Sequence, residues 1–448
     1  MVQSVHLKTK EMIVMYDLIG VGVGPFHLGM AALAAPYSDS LDTVFFDEND
    51  EFEWHPGMLL EGSDLQVPFI ADLVTFADPT SPYSFLNYVH KQNRLYQFYF
   101  FNRFDIPRRE YNAYARWVKD QLGNVRFGKR VTDVVMKDDH FEVHVLDKKS
   151  SETDVVLTRH LSMGTGTKPM VPGAMDKDVH EHDAIHSSRF LQEKDQILSG
   201  DHVALIGSGQ SAAEIFIELM HGQQDGKPHI SWYTRSSGFF QLEAGKLGLE
   251  LFSPDYVDYF HNLPLDKRLS EGPMLTRIRN GVEEATLHEI YETLYHRTVD
   301  GGESGVTIQS RVELTGMSQS KKGAPVSLEL NEWQEEQAFQ STVDKVILAT
   351  GYRPDLPGWF GDIAKQAEFE DDDHPSVDRN YRLTIKDRGA ESRFYLLTDI
   401  LHSHGISATN LQLAVMRNAM IINDVSGREL YPEQRNTVFQ QFGAPDKS

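Results

Sequence analysis

Twice in this chain an apolar run ends in a cluster of glycines and reopens as a helix. The first run is Met12–Ile19, followed by Gly20-Val-Gly22-Val-Gly24-Pro25. The second is His202–Ile206, followed by Gly207-Ser-Gly209-Gln-Ser211-Ala212. A continuous apolar run of this length reads as a strand buried on both faces, hence part of a parallel sheet. Glycines at the strand end let the backbone turn tightly and approach a pyrophosphate, which the amide groups and positive dipole end of the next helix then hold. Pro25 suits a first helical turn, where no N–H donor is needed. Two such units predict an α/β protein with two Rossmann-like dinucleotide-binding domains. The expected layout is a tail over 1–11, a first domain split between 12–167 and 341–448, and a second domain inserted over 168–340. A mostly helical segment is expected over 240–300.

What each unit would hold follows from the residue after its second strand. Thr43–Phe46 ends at Asp47, an acid placed for a ribose hydroxyl, which fits FAD or NAD. Ile230–Thr234 ends at Arg235 with two serines, which suits a 2′-phosphate and so NADPH. A flavin in one domain and a nicotinamide in the other is electron-transfer chemistry. Cysteine is absent, which removes the dithiol acceptors, thiolate zinc and iron–sulfur centres that some such proteins use. Oxygen is then the natural electron acceptor.

Composition removes other classes. A formal net charge of −23 argues against a nucleic-acid footprint or an anionic membrane surface. No apolar stretch approaches a membrane span, and no long apolar segment precedes Met12, so neither a span nor a secretory leader is expected and a cytoplasmic protein is the simplest reading. The histidines His180, His182 and His186 lie in a polar stretch and are not expected to bind metal; His402 and His404 read as flavin-side polar groups. The aromatics Tyr96, Phe98, Tyr99, Phe100 and Phe101 are expected in the core, and the acidic 366–378 stretch in a solvated loop.

Further motifs carry a resemblance. Asp344–Pro357 has the Asp-x3-Leu-Ala-Thr-Gly-Tyr-x4-Pro pattern of flavin-dependent N-hydroxylating monooxygenases. With the Gly-x-Gly-x-Gly-Pro-Phe start, Phe52–Met58, Leu65–Phe69, Asp78–Tyr88, Ile106–Tyr111 and His404–Ile406, the chain resembles the lysine/ornithine N-monooxygenase family of siderophore biosynthesis from about residue 15 to about residue 425. The resemblance implies FAD at Gly20, Gly22, Gly24, Pro25 and Asp47, with Trp54, His55 and Gln66 around the flavin ring and His404 to Leu411 closing over it. It implies NADPH at Gly207, Gly209, Ser211, Ala212 and Arg235, with Thr350 and Gly351 at the chain crossing beside the cofactors. It also implies that a C4a-hydroperoxyflavin delivers oxygen to an amine, that no protein nucleophile or metal is needed, and that the protein is a homo-oligomer, dimer or tetramer.

One substrate position departs from the amino-acid-using members. Many of those place a Lys directly before Asp-Leu, where it pairs with the substrate carboxylate; here that position is Ala71. A buried carboxylate without a cation is costly, so a diamine, putrescine or cadaverine, fits better than lysine or ornithine. The distal ammonium would want an acid or carbonyls, for which Glu243, Glu250 and Asp399 are candidates; Asn280 lies near where the amino-acid-using members place a substrate Asn. An L-lysine N6-monooxygenase and another NADPH-dependent flavin monooxygenase are the alternatives.

Overall fold

The structure is a computed structural model that describes residues 15–172, 179–389 and 391–444. The tail expected over 1–11 lies outside them, as do the first three residues of the apolar run at Met12. Two sheets dominate, a seven-stranded mixed one and a five-stranded parallel one. In the first, Met15–Val21 is flanked by Thr43–Phe46 and Thr153–Met163, both parallel to it. The eleven-residue strand Thr153–Met163 shares its other side between two partners. Its start pairs with antiparallel Phe141–Asp147, and its end with parallel Phe394–Leu396. The C-terminal part of the chain is thereby returned to the first domain, beside the first glycine turn.

The second sheet is wholly parallel, in the order Ala184–His186, Lys345–Leu348, His202–Ile206, His229–Thr234, Val306–Ser310. Lys345–Leu348 was expected in the first domain, whose second segment was placed from 341. Its apolar side chains instead fill the slot beside His202–Ile206, so the second domain extends to about Leu348. The chain crosses between domains on a two-stranded ribbon, Thr167–Pro169 against Tyr352–Pro354.

The helical segment over 240–300 divides. Helix Glu284–Arg297 places Ile290 in the core of the second domain. Helices Pro254–His261 and Leu265–Arg279 cross to the first domain, where Tyr256, Phe260 and Leu275 pack with Ile406. The segment therefore spans both domains.

The two expectations about surfaces part. The acidic 366–378 stretch is a loop with Glu368–Asp373 exposed, as expected, and two imidazoles and an arginine tie it to the body. His402 Nε2 lies 2.8 Å from Pro375 O, His261 Nε2 lies 3.1 Å from Val377 O, and Arg268 pairs with Glu370. The aromatic run after Arg94, in contrast, is not core. Of these rings Phe98 turns inward, edge-on to Phe69 and Phe85, and Tyr96, Tyr99, Phe100 and Phe101 stay exposed. No helix among the described residues is long and apolar enough to cross a membrane.

Candidate active site

The first glycine turn is built for close approach. A Cβ on Gly20 would strike the Phe45 ring at 2.1 Å, and one on Gly22 would meet Gly164 O at 2.6 Å, with Gly22 also at φ +88°. Gly24 differs: nothing lies within 4 Å of a Cβ there. Gly24 caps the helix Pro25–Ala34 without a side-chain hydrogen bond, so the first-turn amides have no partner from that cap. An open space in front of a helix start is what a dinucleotide pyrophosphate requires. Asp47 Oδ2 accepts from Val23 N at 2.6 Å and Oδ1 from Asn49 N at 2.8 Å, which fixes the acid at the rim of the turn.

The glycine pattern did not reveal what holds the turn. His27 Nδ1 lies 2.6 Å from Gly22 O and Nε2 lies 2.7 Å from Ser162 Oγ. Burial pushes its pKa down to about 4, against weaker support from the Gly22 carbonyl. A neutral imidazole therefore ties the turn to the neighbouring strand. Arg417 is fully buried and rests on the Phe26 ring at 4.6 Å and the Tyr381 ring at 5.6 Å. A buried cation on aromatic faces is held by their quadrupoles.

Trp54, His55 and Gln66 lie on the open side of this domain. Trp54 is fixed by its amide, which donates to Asn112 Oδ1 at 2.9 Å, and by Tyr111, whose ring centroid is 5.0 Å away. His55 is exposed at φ +51°, a conformation a non-glycine residue holds only where its surroundings impose it. Its ring lies between those of Trp54, at 5.0 Å, and Tyr352, at 5.7 Å. Tyr352 also meets His186 at 5.1 Å, and His186 Nε2 lies 2.9 Å from Gly351 O. Thr350 Oγ1 donates to Met170 O. Residues from both domains and the crossing ribbon thus converge here. Gln66 is exposed on strand Asp64–Pro68, which pairs with Asp105–Pro107.

The C-terminal segment is less simple. His404 is fully buried, stacked on Tyr381 at 4.0 Å, with Nδ1 2.9 Å from Ser403 Oγ. It packs the turn beneath the site and offers no face to a cofactor, contrary to expectation. Leu411 begins the helix Leu411–Ser426, capped by Asn410, whose side chain accepts from Leu413 N at 3.1 Å.

In the second domain Gly207, at φ +134°, would put a Cβ 2.2 Å from Ala349 O, whereas Gly209 has nothing within 4 Å. Gly209 opens the helix Gln210–Gly222, again without a side-chain cap. Ser211 is half-buried on that helix, and buried Ala212 lets it sit close to the sheet. Arg235 is exposed at the end of His229–Thr234. Sequence reasoning missed its neighbours. Trp333 donates from Nε1 to Arg235 O at 2.8 Å and from its amide to Arg311 O at 3.1 Å, and the Arg311 amide donates to Ser236 O at 2.9 Å. A second arginine and an exposed indole are thereby tied to the same strand ends. They stand more than 70 residues beyond Arg235 in the sequence, on the far side of a helical insertion, so no local pattern links them.

The substrate candidates separate. Ala71 is buried, directly before Asp72, whose carboxylate accepts from the amides of Val74, Thr75 and Phe85 at 2.7–2.9 Å. Glu243 and Asn280 are exposed and are brought near each other by the Gln241–Val282 bridge, where a Cβ on Gly281 would meet Leu242 at 2.6 Å. Glu250 is taken by the C-terminal tail, accepting from Gln440 N at 2.9 Å and Phe439 N at 3.2 Å. Asp399 belongs elsewhere: it is exposed at φ +62°, next to Thr398, whose Oγ1 accepts from Gly166 N at 3.3 Å. That places it on the strand-end edge that carries Gly22 and Gly164, with the cofactor turn. Glu283 was not foreseen. Burial, then the nearby Asp64 and Asp105 carboxylates, push its pKa up, while Arg103 opposes the shift. It lies across from the ribbon that presents Gln66.

Known proteins resemble this chain in sequence and in fold. A family profile described as L-lysine 6-monooxygenase/L-ornithine 5-monooxygenase matches residues 14–354. The chain is 38% identical to a putrescine N-hydroxylase of Shewanella oneidensis over 431 residues, covering 95% of this chain and 84% of that protein. Its fold is similar to the FAD-bound cadaverine monooxygenase of the desferrioxamine biosynthetic pathway of Erwinia amylovora, with a TM-score of 0.90, 35% identity and coverage of 97% of this chain and 100% of that one. An ornithine N-hydroxylase of Kutzneria sp. 744, with reduced FAD, NADP+ and L-ornithine, gives a TM-score of 0.84 at 26% identity, covering 92% and 99%. The two glycine turns, the crossing ribbon and these similarities together show that the chain belongs to the L-lysine 6-monooxygenase/L-ornithine 5-monooxygenase family.

Proposed function

We propose that this protein N-hydroxylates one amine of a short aliphatic diamine, putrescine or cadaverine, using FAD, NADPH and O2, in hydroxamate siderophore assembly. The observation that carries the diamine reading is Ala71, a methyl group where the amino-acid-using pattern has a lysine. Relatives named for putrescine and cadaverine, and others named for rhizobactin and alcaligin siderophores, support it. A cytoplasmic location goes with this reading, because NADPH is supplied there.

The residues fit both cofactors. FAD would lie on Gly22, Gly24 and the start of helix Pro25–Ala34, with Asp47 and Asp399 at its rim; NADPH would lie on Gly207, Gly209, Arg235 and Arg311. Bound FAD supplies the redox chemistry, accepting hydride from NADPH and activating O2. The balance is R–NH3+ + O2 + NADPH → R–NHOH + NADP+ + H2O. The protein's own tasks are binding and protonation control. An alkyl ammonium has a pKa near ~10.4, so the reacting end must lose its proton before it can attack oxygen. Excluding water from the reacting end, which Trp54 and Tyr352 would help to do, favours the neutral amine. The distal end stays charged, and Glu283, whose pKa is raised beside other acids, is placed to gain from a cation. Glu243 and Asn280 stand on the neighbouring bridge.

The test is coupling. With putrescine, FAD-loaded protein should form close to one hydroxylamine per NADPH oxidised. Peroxide formation in place of hydroxylamine with both diamines would contradict the reading.

A further inference from the structure

Arg417 lies inside the helix Leu411–Ser426 and is 1% exposed. The Phe26 and Tyr381 rings answer part of its charge, but a guanidinium also carries five N–H donors. None of Nε, Nη1 and Nη2 has a hydrogen-bond partner among the described residues. Burial pushes the pKa of Arg417 down to about 10, so the group keeps its charge at neutral pH. A buried cation with its donors unmet is costly, so something beyond the two rings compensates it.

Arg417 lines a cavity of about 10 Å³, room for a single water-sized body, between the helices Pro254–His261 and Leu411–Ser426. Arg379 lines it too. Arg379 Nε pairs with Asp258, while Nη1 reaches only the weak acceptor Met420 Sδ at 3.5 Å. The acid in the lining, Glu433, is exposed and pairs with Arg435 at 2.8 Å. Ser407, also in the lining, spends its hydroxyl hydrogen on His404 O at 2.8 Å. The cavity thus meets guanidinium donors and an excess of positive charge. A water molecule would satisfy an N–H but leave the charge. The chain's net charge of −23 is spread over its surface and screened by salt, so it does not replace a local partner.

We propose that this cavity binds one monatomic anion, chloride under ordinary salt conditions, held by the N–H groups of Arg417 and Arg379. The space excludes phosphate, sulfate and carboxylates, which are several atoms across. The anion completes the pairing of Arg417 and ties helix Leu411–Ser426 to helix Pro254–His261, whose Val257 lines the same cavity. The cavity is assembled from segments more than 100 residues apart in the sequence, so the unfolded chain has no such site. Binding to the folded state alone stabilises it by mass action, whichever amine is the substrate.

Thermal melting of FAD-loaded protein at fixed ionic strength tests this. Replacing potassium gluconate by potassium chloride should raise the Tm of the wild type by roughly 2–4 °C, levelling off as the site fills. Arg417→Met puts an apolar chain of similar length in the same place and should lose that rise, while general salt effects stay common to both proteins. Far-UV circular dichroism and FAD content check that the variant folds. Wild-type crystals soaked in bromide give a second reading that needs no variant: an anomalous peak should stand at the Arg417 N–H groups. A chloride effect that is the same in wild type and Arg417→Met overturns the proposal, as does a bromide soak with no anomalous peak at Arg417, which would leave a water there. A bromide peak without any chloride effect on wild-type melting would mean binding at crystal concentration only, and also overturns it.

Discussion

Arg108 and Glu214 form a two-pronged ion pair that joins the domains. Arg108 Nη2 donates to Glu214 Oε1 at 2.8 Å and Nη1 to Oε2 at 2.9 Å, with both side chains more than 90% buried. Arg108 starts the helix Arg108–Lys119 beside the flavin-side segment, and its Nη1 also reaches Met58 O at 2.9 Å. Glu214 stands on the helix that opens the second glycine turn. The pair therefore links the two dinucleotide domains directly. Removing one partner of a buried pair strands the other charge, at a cost of about 3–5 kcal/mol. Glu214→Ala should lower the urea midpoint accordingly and slow flavin reduction by NADPH. Unchanged unfolding and unchanged reduction would show that the pair is not what holds the domains in register.

The two kinds of glycine in the first turn should separate folding from binding. At Gly22 an added methyl meets the backbone of Gly164, and the positive φ disfavours any side chain. Gly22→Ala should damage the apoprotein itself. At Gly24 there is room until a cofactor arrives. Gly24→Ala should leave apoprotein stability within about 0.5 kcal/mol of wild type, yet weaken FAD binding by tenfold or more. Calorimetric melting of the apoproteins and FAD titration read the two effects. Equal FAD affinity for Gly24→Ala and wild type would move the pyrophosphate elsewhere.

Acid should destabilise this protein through buried imidazoles. His27 and His160 are each pushed down to about 4, chiefly by burial, and His404 is driven well below its ordinary value by the same cause. In the unfolded chain these residues take up protons near pH ~6.5. Between that pH and about 4 the unfolded state binds more protons, so stability is fully present above pH ~6.5 and falls on acidification through this window. The loss should amount to several kcal/mol. His160→Asn, which keeps an acceptor for the Arg393 amide, should flatten the slope of unfolding free energy against pH between 6.5 and 4.5. A slope identical to wild type would mean that His160 titrates normally.

Glu283 should matter for the distal ammonium. A carboxyl whose pKa is raised by burial and by Asp64 and Asp105 is shifted back toward its charged form when a cation binds beside it. Glu283→Gln should raise KM for a diamine about tenfold or more, with a smaller effect on kcat, and should leave NADPH oxidation without amine unchanged. In the wild type, KM for the diamine should rise as pH falls toward the carboxylate range. A loss confined to kcat would place Glu283 with the reacting atoms instead.

Much of this was legible in the sequence because it is local. A strand, a glycine turn and a helix start within a dozen residues, so both dinucleotide turns and Asp47 and Arg235 could be read directly. The position of Lys345–Leu348 was not legible, since an apolar run shows that it is buried but not in which sheet. His404 sits in a family motif, yet its burial under Tyr381 depends on a turn some 20 residues upstream. Arg311, Trp333 and Glu283 reach their sites only through long-range pairing of strands and helices. The exposed rings of Leu95–Phe101 misled for a different reason: aromatic composition does not say which rings of a short helix face the body.

The most direct measurement is the hydroxylamine formed by FAD-loaded protein with NADPH and each of putrescine, cadaverine, lysine and ornithine, compared as kcat/KM. The account predicts a hydroxylated diamine, with lysine and ornithine at least tenfold poorer because no cation stands at Ala71 to meet their carboxylates. Equal or better turnover of lysine or ornithine would contradict the Ala71 argument while leaving the family and the fold in place.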